Sequence, residues 1–199
     1  MNAFEIKTPA QDISDIFWRN LIAAHSAGIR RTIDYLDNER LVAEQLRTIA
    51  AYNTGSIPPA TAVALMILAA ELKPDRTFEL GSFIGNSTRA LALYSKYVGT
   101  CDGHNDIGLG LPNATQYRKT MSTDALKAYK EAKPGPIELF FVDGRLLAED
   151  MPLVAELTNE ETVFALDDCY QLEKGVMNVH ALGLAVKPRP LFYVPPPRG

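Results

Sequence analysis

Apolar residues in the first fifty positions fall at helical spacing. Ile13, Ile16, Phe17, Leu21 and Ala24 share one face of a predicted helix, and Gly28 stands where it would stop. Leu41, Val42, Leu46 and Ile49 repeat the pattern. A loop of turn formers, Tyr52-Asn53-Thr54-Gly55-Ser56-Ile57-Pro58-Pro59, leads to a further predicted helix from about Pro59 to Leu72, with proline tolerated in its first turn. Beyond it the texture alternates. β-rich runs at Thr77 to Leu80, Tyr97 to Cys101, Ile137 to Val142 and Thr162 to Leu166 are separated mostly by helical stretches. That alternation predicts an α/β fold with a Rossmann-like, doubly wound, mainly parallel sheet. A last run, Leu191 to Val194, lies among Pro188, Pro190, Pro195, Pro196 and Pro197, which confines it to a short antiparallel C-terminal edge.

The pattern divides the 199 residues into an N-terminal helical extension, 1–52, and one α/β domain, 53–199. The extension has no strands of its own, so it packs on the domain, caps its active site or pairs with a second copy as a homodimer; the sequence does not choose. A net charge of -4 with dispersed Lys and Arg argues against nucleic acid and anionic membrane surfaces as partners. The first fifteen residues lack a signal-peptide core, and the longest apolar run, Ala60 to Ala70, is short of the ~20 residues of a membrane span. A cytoplasmic protein is the expectation. In a sheet of order 3-2-1-4-5, Cys101 and Cys169 would lie about three strand spacings apart, roughly 14 Å, too far for a disulfide.

Candidate chemistry begins where the first predicted strand ends, in Glu79-Leu80-Gly81-Ser82-Phe83-Ile84-Gly85-Asn86-Ser87-Thr88. Ligands of doubly wound sheets bind at the carboxyl ends of strands. Gly81 allows close backbone approach, Gly85 permits a tight passage into the next helix, and Asn86, Ser87 and Thr88 offer polar groups at its N-terminus. Asp102, 23 positions after Glu79, stands where a carboxylate commonly accepts from both hydroxyls of a ribose. The glycine spacing is not Gly-x-Gly-x-x-Gly, which disfavours a nicotinamide cofactor. Glu-x-Gly-x-x-x-Gly-Asn-Ser-Thr instead resembles the class I S-adenosylmethionine-dependent methyltransferases, in particular the small-molecule O-methyltransferase branch of catechol-type and metal-dependent sugar enzymes. The resemblance runs from about Asn53 to Asn178. It implies that Gly55 and Ser56 lie near the methionine part of S-adenosylmethionine and that Glu79, Gly81, Ser82, Gly85 and Ser87 line the cofactor. It further implies that Asp102 holds the ribose, that Thr123, within Ser122 to Asp124, passes the adenine, and that Asp143 borders the site.

Two later strands end in acids: Asp143 after Phe140-Phe141-Val142, and Asp167-Asp168 after Val163-Phe164-Ala165-Leu166. Strands about 4.8 Å apart bring these carboxylates to one crevice, where a cation would relieve their repulsion. Asp143, Asp167 and Asp168 suit Mg²⁺ or a similar hard divalent ion. The resemblance points the same way, since its metal-dependent members use an acid after strand four and an Asp-Asp or Asp-Asn pair after strand five. The alternative is that these acids only cap the following segments.

Methyl transfer to a hydroxyl also needs the hydroxyl's proton removed. Catechol-type enzymes carry a lysine shortly after the strand-four acid, but Gly144, Arg145, Leu146 and Leu147 follow here. Asp168, Lys174 and His104 are the candidates left for the base, and Arg145, Tyr170 and Lys174 for contacts with the acceptor. Gly103 to Asn113, rich in glycine and turn formers, stands where the family places a helix, which predicts that this helix is lost or shortened. The expectation is a methyltransferase acting on a small-molecule hydroxyl with help from a divalent metal. The rival is a non-catalytic or metal-independent protein that keeps the fold and binds the cofactor.

Overall fold

The computed structural model describes residues 57, 59–132, 135–169 and 173–186. The predicted N-terminal helices, Gly55, Ser56, Tyr170 and the predicted edge strand at Leu191 to Val194 lie outside them. In chain order the elements are helix α1 (Pro59–Leu72), strand β1 (Thr77–Leu80), α2 (Asn86–Ala92), β2 (Val98–Asp102), β3 (Ala114–Arg118), α3 (Ser122–Ala132), β4 (Leu139–Val142), a 3-10 turn (Ala148–Asp150), α4 (Met151–Leu157), β5 (Val163–Leu166) and α5 (Glu173–Ala185). The five strands form one sheet of order β3-β2-β1-β4-β5, every pairing parallel.

Side chains of a strand alternate between the two faces of a sheet, and both faces are apolar here. Val98, Leu139 and Phe141 point to one side, where α1 and α2 cover them with Ala62, Leu65, Met66, Ala90 and Leu91. Phe78, Leu80, Phe140 and Val142 point to the other, onto Ala125, Leu126 and Tyr129 of α3, Val154 and Leu157 of α4, and Leu182 of α5. Near-continuous apolar strands such as Leu139–Val142 are what a parallel sheet covered on both sides requires. Helix α1 ends because Lys73 turns left-handed, φ 47°, with its amide donating to the Ala69 carbonyl at 2.8 Å.

Three strands start one or two residues later than the sequence reading, at Val98, Leu139 and Val163 instead of Tyr97, Ile137 and Thr162. The third strand, Ala114–Arg118, carried no strong β signal because it is a half-exposed edge strand of polar residues. Ser122 to Asp124 form the first turn of α3. The expected loss of a helix is seen: β2 reaches β3 through Gly103–Asn113, which holds no helix. That loop is tied down by side chains. Gln116 accepts from the Leu109 amide at 3.2 Å and donates to the Ile107 carbonyl at 2.6 Å, and Asp106 pairs with Lys119 at 2.9 Å. Cys101 and Cys169 are free thiols. Among the described residues no helix is long and apolar enough to cross a membrane.

Candidate active site

The site is assembled at the carboxyl ends of the strands, starting from the turn after β1. Its amides at Gly81 and Ser82 both donate to the Cys101 carbonyl, at 2.9 and 3.1 Å, so the turn is fastened to β2. Gly81 and Gly85 take φ of 96° and 83°, backbone conformations that favour glycine. What approaches Gly81 is another stretch of this chain: a Cβ there would stand 2.6 Å from the Gly144 amide nitrogen. A Cβ on Gly85 would run into the Leu109 side chain from the β2–β3 loop. Between them Phe83 adopts φ 43°, costly for a bulky residue, and its amide donates to Asp102 Oδ2 at 2.8 Å. Asp102 also accepts from the His104 and Asn105 amides, both at 2.8 Å through Oδ1. The residue expected to hold the ribose is therefore also the residue that shapes the turn.

Glu79 is fully buried on the α1–α2 side of the sheet. Oε2 accepts from Thr100 at 2.6 Å and from Thr88. Burial pushes its carboxyl from the ordinary 4.5 up to about 7, against the lowering influence of the Ser87, Thr100 and Thr88 side chains; the Asp143 charge adds to the rise. A carboxyl whose folded pKa is raised holds its proton more tightly folded than unfolded. Stability therefore falls as pH climbs from 4.5 through about 7, by about 3 kcal/mol from this group. Glu79→Gln should remove that dependence, so that the variant gains on the wild type by a similar amount between pH 5 and pH 8 in chemical denaturation. A difference that does not change with pH would show that burial of charge is not the cause.

Ser82, Ser87 and Asp143 border one narrow cleft, together with Ile57, Phe83 and Asn86. Among the described residues the buried Ser82 Oγ has no hydrogen-bond partner. Thr123 turns its hydroxyl to Asp150 Oδ1 at 2.6 Å, and Ser122 donates to Oδ2 at 2.7 Å. Asp150, fully buried, also accepts from the Leu147 amide at 2.8 Å. It clamps the start of α3 to the chain after β4. Sequence reading missed Asp150, and the acids of Leu147-Ala148-Glu149-Asp150 gave no signal of it.

The strand-four and strand-five acids converge as expected, but with a lysine among them. Lys174 Nζ, in the first turn of α5, donates to Asp143 Oδ1 at 2.8 Å, to the Asp143 carbonyl, and lies 2.7 Å from Asp168 Oδ2. Asp167 Oδ1 accepts the Asp168 amide at 2.9 Å. Burial raises the carboxyls of Asp143 and Asp167. Burial also opposes the Lys174 charge, but its bonds to Asp143 and Asp168 outweigh that and hold the ammonium above its ordinary value. This arrangement does not fit the divalent ion expected on Asp143, Asp167 and Asp168. The position between two of them is filled by an ammonium, and among the described residues no group of three His, Cys, Asp or Glu side chains comes together to hold a metal.

The other candidates fall apart in space. His104 is exposed at the end of β2, on the far side of β1 from the acids of β4 and β5. Arg145 forms a two-pronged ion pair with Glu173, at 2.8 and 2.7 Å, and both are exposed. Asn178, missed by sequence reading, is buried; its Nδ2 donates to the Gly144 carbonyl at 2.8 Å and its Oδ1 accepts the Leu146 amide at 2.9 Å.

No protein-family model and no curated protein matches the sequence. Solved structures do. An O-methyltransferase from Bacillus cereus in complex with S-adenosylhomocysteine (SAH) matches with a TM-score of 0.58 at 17% identity, over 76% of this chain and 82% of that one. TomG, an O-methyltransferase of Streptomyces achromogenes involved in tomaymycin synthesis and solved with S-adenosylmethionine, matches with a TM-score of 0.56 at 16% identity, over 74% and 78%. These likenesses show the fold alone: the chain shares with the two O-methyltransferases a Rossmann-like α/β fold, built here on five parallel strands of order β3-β2-β1-β4-β5.

Proposed function

We propose that the protein is an S-adenosylmethionine-dependent methyltransferase that acts on a hydroxyl group of a small molecule. The observation that carries this reading is that Ser82 and Ser87 of the glycine turn and Asp143 of β4 border one cleft. A cofactor surface and a proton acceptor thus meet at the point where the strand order reverses. The residues fit the cofactor. Buried polar atoms are ordinarily paired, yet among the described residues Ser82 Oγ, bordering the cleft, is not, and a ligand with hydrogen-bonding ends suits it.

Bound there, S-adenosylmethionine supplies a methyl group already activated by its sulfonium. What remains for the protein is to hold the acceptor oxygen in line and to receive its proton. Asp143, raised by burial and bordering the cleft, is suited to that proton, with Asp168 beside it. Lys174 is not the base, since its three hydrogens are engaged and an ammonium has no lone pair. The Bacillus and Streptomyces enzymes support oxygen as the accepting atom. With a net charge of -4, the acceptor is read as a small molecule and not nucleic acid or a membrane surface, and residues 1–52 as a lid or a contact between two copies.

SAH should raise the unfolding temperature by about 5–10 °C at a hundred times its dissociation constant. Labelled methyl groups should then pass from the cofactor to members of a panel of phenols, catechols and sugars. No shift at millimolar SAH would sink the reading; a shift without turnover on any acceptor would favour a binding protein that keeps the fold.

A further inference from the structure

We propose that Lys174 stands in place of a divalent ion: its ammonium, tethered to α5, is the resident cation of the Asp143–Asp168 pair and makes the site independent of metal. The proposal deepens the methyltransferase reading above and rests on it. Acidic side chains at the ends of neighbouring strands need a positive charge between them, and the Lys174 ammonium supplies it through contacts with Asp143 Oδ1 at 2.8 Å, Asp168 Oδ2 at 2.7 Å and the Asp143 carbonyl. An ammonium has three donors, so its coordination is complete. A divalent ion would have to take the same oxygens and expel a side chain that the fold fixes in place.

That fixation is visible on both sides of Lys174. A Cβ at Gly175 would lie 2.2 Å from the Asp168 carbonyl oxygen and 2.6 Å from the Cys169 amide nitrogen, so only a residue without a side chain lets the start of α5 press against the strand-five acids. One helical turn further, the buried Asn178 ties α5 to the Gly144 carbonyl and the Leu146 amide. The two anchors leave the ammonium little choice of position. Lys174 is accordingly a positioning residue. With its hydrogens engaged, it acts on the acceptor through Asp143 and Asp168, orienting both and offsetting negative charge as the hydroxyl gives up its proton.

Thermal unfolding of the full chain with millimolar MgCl₂ or MnCl₂, each with and without SAH, tests this. Wild type and Lys174→Arg should show no metal-dependent shift. Lys174→Gln, which keeps a polar side chain one atom shorter but loses the charge, should gain a rise of about 3–6 °C at ten times the metal's dissociation constant. A wild-type rise that Asp143→Asn abolishes would overturn the proposal, and so would a cooperatively folded Lys174→Gln that stays indifferent to both metals. Should Lys174→Gln fail to fold, the wild-type arm decides alone. The SAH arm separates the two readings: a chain silent to metal and silent to SAH would remove the methyltransferase and leave the cation assignment standing.

Discussion

Replacing Gly81 with alanine should cost about 4 kcal/mol or more and lower the unfolding temperature by about 10 °C, while Gly110→Ala should cost about 1 kcal/mol. Both glycines have positive φ, 96° and 64°, so both substitutions meet backbone strain. Only one meets another part of the chain. A Cβ on Gly110 would face open space, whereas on Gly81 it would stand 2.6 Å from the Gly144 nitrogen and 3.1 Å from the Asp143 carbonyl carbon. Those are main-chain atoms, and they cannot swing aside as a side chain does. They are also held, because the Asp143 and Gly144 amides both donate to the Leu80 carbonyl, at 2.9 and 2.7 Å. Relief of the clash must separate the ends of β1 and β4 and break these bonds. Net stabilities of about 5–15 kcal/mol leave room for a folded but weakened protein. Thermal and chemical denaturation of the two variants side by side give the comparison, and equal losses would refute the argument from close approach.

The same contact joins the two halves of the site. Where the β1 turn touches the chain after β4, Ser82, Ser87 and Asp143, proposed above as cofactor surface and proton acceptor, share a cleft. Loss of cofactor binding in Gly81→Ala should therefore accompany loss of stability, because the residue that would clash is next to Asp143.

Much of this was legible in the residues. Apolar runs such as Phe140-Phe141-Val142 announced parallel strands because both faces of the sheet are covered, and the acids that follow them announced the carboxyl edge. β3 was not legible, since Ala114–Arg118 has only β2 as neighbour among the described residues and no apolar face to advertise. Gly81 was read as allowing a ligand to approach closely, and the structure shows that it also allows Gly144 to do so, a contact between positions 63 residues apart that no local pattern records. The place of Lys174 among the acids was illegible for a related reason. The sequence counts the acids that converge but not the cation that α5 delivers among them, because Lys174 becomes their neighbour only when Gly175 and Asn178 seat the helix. Asp150 escaped notice likewise, its partners Ser122 and Thr123 lying on a different helix.

Asp102→Ala should weaken SAH binding about 100-fold, equivalent to about 2.7 kcal/mol, and cost a further 2–3 kcal/mol or so of stability. The carboxylate has two tasks at one place. Through Oδ1 it accepts the His104 and Asn105 amides and begins the β2–β3 loop; through Oδ2 it accepts the Phe83 amide and holds the turn at a φ of 43°. Hydrogen bonds to a charged acceptor are among the stronger ones, but His104 is exposed, and water replaces part of what its amide loses. Phe83 is the less forgiving partner. Without Oδ2 its strained backbone relaxes, and the cleft it borders changes shape before any ligand arrives. If Asp102 also holds the ribose, the affinity loss contains a second contribution that stability does not register. Asp102→Asn separates them, since the amide retains one acceptor oxygen for the loop or the turn and presents a donor to the other. Calorimetric titration with SAH beside thermal unfolding reads both quantities. An Asp102→Ala protein destabilised as expected, yet binding SAH within about threefold of wild type, would confine Asp102 to shaping the turn and place the ribose elsewhere.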